Sequence, residues 1–209
     1  MKALIYKDLL AVWKYCRNYI LMCGVFLISS VFVEEYGFLQ IYPLIFMGML
    51  VTTLIAYDER DHWDRQVLTM PGTRRQYVTA KYLTGLILQG TVLALTAGAY
   101  ALRQVRLGGF EWNVFGAELG MLALLASGAP SLILPFVFKN GSEKGRMAYL
   151  IILASVFALA AAGVVVLKKL DFLNAPVELP LSALGIAAAV LLYPASWALS
   201  VRWYEKREF

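Results

Sequence analysis

The residues able to do bond chemistry are few. The sequence holds one histidine, His62, and two cysteines, Cys16 and Cys23. His62 stands near Asp58, Asp61 and Asp64, a grouping that reads either as a divalent-ion site or, preferably, as a solvated helix face. The cysteines lie seven residues apart in one segment and make neither a disulfide framework nor a metal spacing. Ser127-Gly128 offers a nucleophile, but hydrolysis through serine needs a base beside it, and the single histidine belongs to a different, polar stretch. The paired carboxylates Glu34-Glu35 have no histidine in any apolar stretch to work with. The glycine-rich run Gly141-Ser142-Glu143-Lys144-Gly145-Arg146 lacks the G-x-x-x-x-G-K-[ST] spacing that cradles phosphate. No catalytic residue, metal site or bound cofactor is expected in this chain.

One charge stands out by its surroundings. Glu118 is the sole charged residue inside a predicted span, and an intramembrane carboxylate is a candidate functional site. It lies four residues into its apolar stretch, about 6 Å of helical rise, where the side chain can reach water. Gly116-Ala117-Glu118-Leu119-Gly120 is also a small-xxx-small pattern that permits close helix approach. A packing or rim role is the preferred reading, and handling of a transported cargo or of protons is the other.

The elements that must position these residues are set by composition. Of the 209 residues 60% are apolar and 16% are charged, against roughly 45–50% and about 25% in soluble domains. A soluble fold of this length cannot hide that excess. The net charge is +5, but the basic residues lie between long apolar runs and form no single polar face, which excludes a nucleic-acid binder. Charges at Lys2, Lys7, Asp8, Lys14 and Arg17 interrupt the first residues, so no secretory signal is expected.

Reading between charges gives six spans, at about 18–33, 36–57, 82–102, 114–138, 147–167 and 181–201. Tyr57, Tyr82, Tyr100, Trp112, Trp197 and Trp203 mark many of their ends, as a headgroup belt requires. Fifteen Lys and Arg residues fall in residues 1–17, 57–81, 139–146 and 202–209, and four in the alternate connections. The positive-inside rule then places both termini in the cytoplasm. The expected fold is an all-α integral membrane protein with a single transmembrane domain. Pro43, Pro130, Pro135 and Pro194 lie inside spans and serve packing geometry or, alternatively, a hinge. Residues 168–180 have room for a short interfacial helix.

The most polar stretch, 58–81, joins spans two and three. Asp58 or Asp61 is suited to cap a helix start. Trp63, Val67 and Met70 follow at i, i+4 and i+7 and share a face. Pro71-Gly72 ends that helix, and Thr73-Arg74-Arg75-Gln76 has the spacing of a capping box that restarts one through Lys81. The product is a short amphipathic helix, resting on headgroups or docking a cytoplasmic partner.

The pattern Asp58-Glu59, Trp63-Asp64-Arg65, Leu68-x-x-Pro71, Arg74 and Lys81-Tyr82 resembles the loop after span two in the small six-span permeases of bacterial ABC exporters, the type 2 class. Met1-Lys2-x-Leu4-Ile5-x-Lys7-Asp8-Leu9 resembles the amphipathic segment before their first span. The resemblance implies the membrane subunit of an exporter in the bacterial cell membrane. Two permease subunits, the second a copy or a paralogue, would pair with two ATPase subunits that hold ATP and Mg. Trp63, Asp64, Arg65, Leu68, Pro71 and Arg74 would form the coupling helix that contacts the ATPase. Residues 1–17 would lie in the inner interface, with Leu4, Ile5, Val12, Trp13 and Cys16 toward lipid and Lys7, Lys14 and Arg17 toward headgroups. The alternative is a non-transporting membrane anchor that recruits a soluble partner through the same hairpin.

Overall fold

Six long helices account for most of the described chain in a computed structural model, which describes residues 2–32, 37–63, 66–67, 74–106, 109, 111–145, 147, 151, 154–155 and 178–206. Helix α1 is Lys2–Tyr15, α2 is Arg17–Phe32, α3 is Ile41–Arg60, α4 is Arg74–Arg106, α5 is Trp112–Asn140 and α6 is Glu178–Glu205. A 3₁₀ turn, Gly37–Gln40, leads into α3. Helices occupy five of the six predicted stretches; the fifth, 147–167, and the proposed interfacial helix within 168–180 lie largely outside the described residues. Among the described residues three helices are long and apolar enough to cross a membrane: α3, α4 and Glu118–Asn140 of α5. Helices α1 and α2 meet at a bend of 74° and would count as a fourth span if taken as one. Alone, the 16 residues of α2 rise only about 24 Å against a hydrocarbon layer of about 30 Å.

The helices pack around two apolar clusters. One gathers Val51 and Ile55 of α3, Tyr77 and Tyr82 of α4, Leu134 and Phe138 of α5, and Tyr204 of α6. The second joins Val12 and Cys16, at the end of α1, to Cys23, Leu44, Leu50 and Leu54. Outside them, side chains such as Val25 and Ile28 of α2, Leu95 and Leu102 of α4, and Leu191 of α6 stay exposed, as helices bathed by hydrocarbon require. Both cysteines are buried and free.

Helices α4 and α6 are joined by polar groups that need each other once water is gone. The Tyr82 hydroxyl lies 2.7 Å from those of both Ser196 and Ser200. Tyr193 donates to the Tyr82 carbonyl at 2.7 Å, and the Trp197 indole N–H donates to Thr79 at 3.1 Å. Gly85 makes the approach possible, since a Cβ there would lie 3.0 Å from Val51 and 3.1 Å from the Tyr193 hydroxyl. In α5, Pro130 and Pro135 each remove a backbone donor. Ser127 and Ser131 back-bond to Ala123 and Ser127 carbonyls at 2.9 and 2.5 Å, a habit that bends helices slightly.

After α5 the chain turns at Gly141, whose φ of 89° suits glycine, and a helical turn at 142–145 folds back. A Cβ on Gly145 would collide with Val137, including its Cα at 3.2 Å. Backbone cannot give way as a flexible side chain can. Gly145→Ala should therefore cost about 1–3 kcal/mol, read as a lower thermal midpoint of the purified protein in detergent. Gly90→Ala, where nothing lies within 4 Å, should leave the midpoint unchanged or raise it.

Candidate functional site

The polar hairpin and the N-terminal helix meet in a knot of four charges. Helix α3 runs on through Asp58 and ends at Arg60, so Asp58 caps no helix start; Asp61 instead sits at the C-terminal end of α3, where its N–H bonds the Tyr57 carbonyl and the His62 N–H bonds that of Glu59. The chain then turns at His62, whose φ of 53° is left-handed, a conformation in which histidine is enriched among non-glycine residues. That turn sends Trp63 back toward α1.

Lys81, on α4, is 1% exposed. Its ammonium lies 2.8 Å from Asp8 Oδ1 and 2.6 Å from Asp58 Oδ2. Lys7 reaches Asp58 Oδ1 at 2.6 Å and Asp8 Oδ1 at 3.4 Å. Tyr77 donates its hydroxyl to Asp58 Oδ2 at 3.0 Å. Two ammoniums and two carboxylates thus balance to zero, the condition under which charges tolerate burial. Lys7 also stands 4.7 Å from the centre of the Trp63 ring, a cation–π contact. The knot therefore ties α1, the end of α3, the first turns of α4 and the hairpin into one body.

Further contacts extend that body. Ser142 N–H donates to Glu59 Oε2 at 2.7 Å, so a carboxylate from the end of α3 meets the start of the turn after α5, where helix N–H groups are unpaired. Arg74 Nη1 donates to the Glu205 carbonyl at 2.8 Å, fixing the start of α4 to the end of α6. Arg75 lies 5.2 Å from the Trp197 ring.

Trp63 is half-buried and packs on the first apolar cluster, and Val67 is 4% exposed; the two share a face, as their spacing predicted, and that face is turned into the protein. The indole N–H of Trp63 is buried without a partner among the described residues. Asp64, Arg65, Leu68 and Pro71 lie outside the described residues, as does Met70. Glu118 is half-buried at the other end of the molecule, beside Tyr100 and Arg103, so the structure does not bring it to the hairpin residues.

The faces of α1 differ from expectation. Val12 and Cys16 point inward, 3% and 0% exposed, while Tyr6, Leu10 and Trp13 point out. Lys7, expected among headgroups, is in the knot. The cause is Asp8: it shares a face with Leu4 and Val12, and to reach Lys81 it turns that face inward. Asp8, Lys7, Tyr77 and Lys81 are thus site residues that spacing did not reveal. The available signal was an acid on an apolar stripe and a lysine leading into a span, each of which demands a partner on burial.

Lys81→Met alone leaves an uncompensated carboxylate and should cost about 3–5 kcal/mol, seen as a large drop in thermal midpoint in detergent. Adding Asp8→Leu restores charge balance around the remaining Lys7–Asp58 pair and should recover most of the loss. A double variant no more stable than Lys81→Met would show that the charges do not act as a set.

No curated protein and no solved structure matches the chain. A family comparison does match, to the ABC-2 family transporter proteins, over residues 3–205. That span takes in all but the first residue of α1, the hairpin, the knot and the whole of α6. The chain belongs to the ABC-2 transporter family and is a membrane permease component of an ABC transporter.

Proposed function

We propose that the chain is the transmembrane subunit of an ATP-driven exporter, set in the bacterial cytoplasmic membrane with six spans and both termini inside. Two permease subunits would work with two ATPase subunits, which would supply the ATP and Mg sites. The observation that carries the reading is the bracing of the hairpin: Trp63 turns back at His62 and rests on Lys7, which is itself tied to Asp58 and through it to Lys81.

A lever needs a rigid root and a free grip. The knot supplies the root, because moving one charge without the others would strand it in a low-dielectric interior. The side of the hairpin turned away from the knot would supply the grip, through Asp64, Arg65, Leu68, Pro71 and Arg74, with Trp63 seating the hairpin on the root. Arg74 also anchors the end of α6, so a push on the hairpin would reach α1, α4 and α6 together. Helix α4, 33 residues long, spans about 50 Å and would carry that motion across the bilayer. Two states of the spans, inward-open and outward-open, would then differ in how the ATPase pair holds the two hairpins.

The test is copurification of the tagged full chain from its native membrane. A nucleotide-binding ATPase should come with it. In Arg65→Ala, Leu68→Ala the recovered ATPase should fall about tenfold, as for loss of interface anchors, with the permease level unchanged. Recovery of other proteins but never an ATPase would overturn the reading in favour of an anchor.

A further inference from the structure

Helix α4 ends, on the side away from the knot, in a second polar site. Arg103 lies 22 residues beyond Lys81 in the same helix, about 33 Å at 1.5 Å per residue. That is close to the roughly 30 Å thickness of a hydrocarbon layer, so the knot and Arg103 stand at the two headgroup levels. The aromatic residues agree with this placement. Trp112 is 75% exposed, its ring packs edge-on against Phe115, and Phe115 stacks on Tyr100. Such rings mark the membrane–water boundary.

Between α3, α4 and α5 at this level is a cavity of about 200 Å³. Tyr100, Arg103, Glu118 and Gln40 give it polar walls, and Met121 and Leu125 give it apolar ones. Gln40, the last residue of the 3₁₀ turn, is 2% exposed, and its amide nitrogen has no hydrogen-bond partner among the described residues. A buried donor left unpaired is costly and marks a place where an acceptor is missing. The Tyr100 phenol is fixed from one side by the Gln104 amide at 3.2 Å and from the other by Phe115. Preorganised groups of this kind suit a ligand better than they suit bulk water.

The charges define the ligand. An anion alone would enter beside Glu118, and a cation alone would enter beside Arg103. A dipolar group presents each of them with a charge of opposite sign. We propose that this cavity binds an aminoethyl phosphate group, with its ammonium on the Glu118 carboxylate against the Tyr100 face and its phosphate on Arg103 and the Gln40 amide. Arginine presents a planar fork that matches phosphate, and a carboxylate accepts the N–H bonds of a primary ammonium. The volume is that of a headgroup, below the roughly 300–1,000 Å³ of sites for drug-sized molecules. Met121 and Leu125 flank it as an acyl chain would need. The group has two sources, the headgroup of an ethanolamine phospholipid and free phosphoethanolamine. The site is independent of ATP-driven transport, because binding requires only this chain.

The experiment is native mass spectrometry of the full chain in detergent with equimolar phosphatidylethanolamine and phosphatidylglycerol. The wild type should retain the ethanolamine lipid about tenfold over the glycerol lipid, the size of one charge-assisted contact. Glu118→Gln, which keeps the shape, should abolish that preference, and Arg103→Gln should lower retention of both lipids. Met121→Trp leaves every charge in place and fills the cavity; it should prevent retention, and it decides the matter if Glu118→Gln is not monodisperse. Displacement of the lipid by millimolar phosphoethanolamine assigns the site to the free zwitterion, and resistance to it assigns the site to the bilayer; either supports the chemistry. Equal retention of the two lipids by the wild type overturns it, as does an unchanged preference in both Glu118→Gln and Met121→Trp.

Discussion

Burial of Lys81 is the constraint around which the rest is arranged. A lysine that is 1% exposed cannot keep its charge in an apolar interior without anions at hand. Asp8 and Asp58 provide them from two other helices, and Lys7 then balances the second negative charge. Meeting that need fixes which face of α1 turns inward, how far α3 must run before the hairpin turns, and where α4 begins to be enclosed. Apolar contact alone would not choose so sharply. The exposed face of α1 carries large apolar side chains too, at Tyr6, Leu10 and Trp13.

The second theme is attachment between helices by hydroxyl and aromatic groups. Hydrocarbon offers little hydrophobic drive for one apolar helix to prefer another over lipid, so close packing and hydrogen bonds do the selecting. Tyr82 with Ser196 and Ser200, and Trp197 with Thr79, register α4 against α6. Tyr77, Phe138 and Tyr204 close the same junction by ring contacts, with Tyr77 and Tyr204 stacked at 5.5 Å. At the far end Arg106 donates to the Val31 carbonyl and covers the Phe32 ring, so the last turn of α2 is held by α4 as well. Helix α4 is therefore the common partner of α1, α2, α3 and α6. In a transporter such a helix is the natural path for motion from one headgroup level to the other, since it is bonded to its neighbours near both ends.

The membrane character, the helical stretches and the hairpin were legible in the amino-acid sequence. Apolar runs of fixed length admit one structure in lipid, because backbone groups must be paired within the helix. The i, i+4 spacing of Trp63 and Val67 fixed a shared face, and both do turn to the apolar cluster. The family pattern in the hairpin likewise pointed to an ABC permease, and the family match extends that reading over residues 3–205. Tertiary structure alone decided which charges meet. Asp8, Asp58 and Lys81 are 23 to 73 residues apart in sequence, and local periodicity carries no information about pairing at such distances. The same holds for the cavity: Gln40, Tyr100, Arg103 and Glu118 come from a turn and two helices, and only their convergence makes Glu118 more than an isolated carboxylate in an apolar run. Spacing along a chain sets faces; electrostatic neutrality across elements, enforced where water is absent, sets partners.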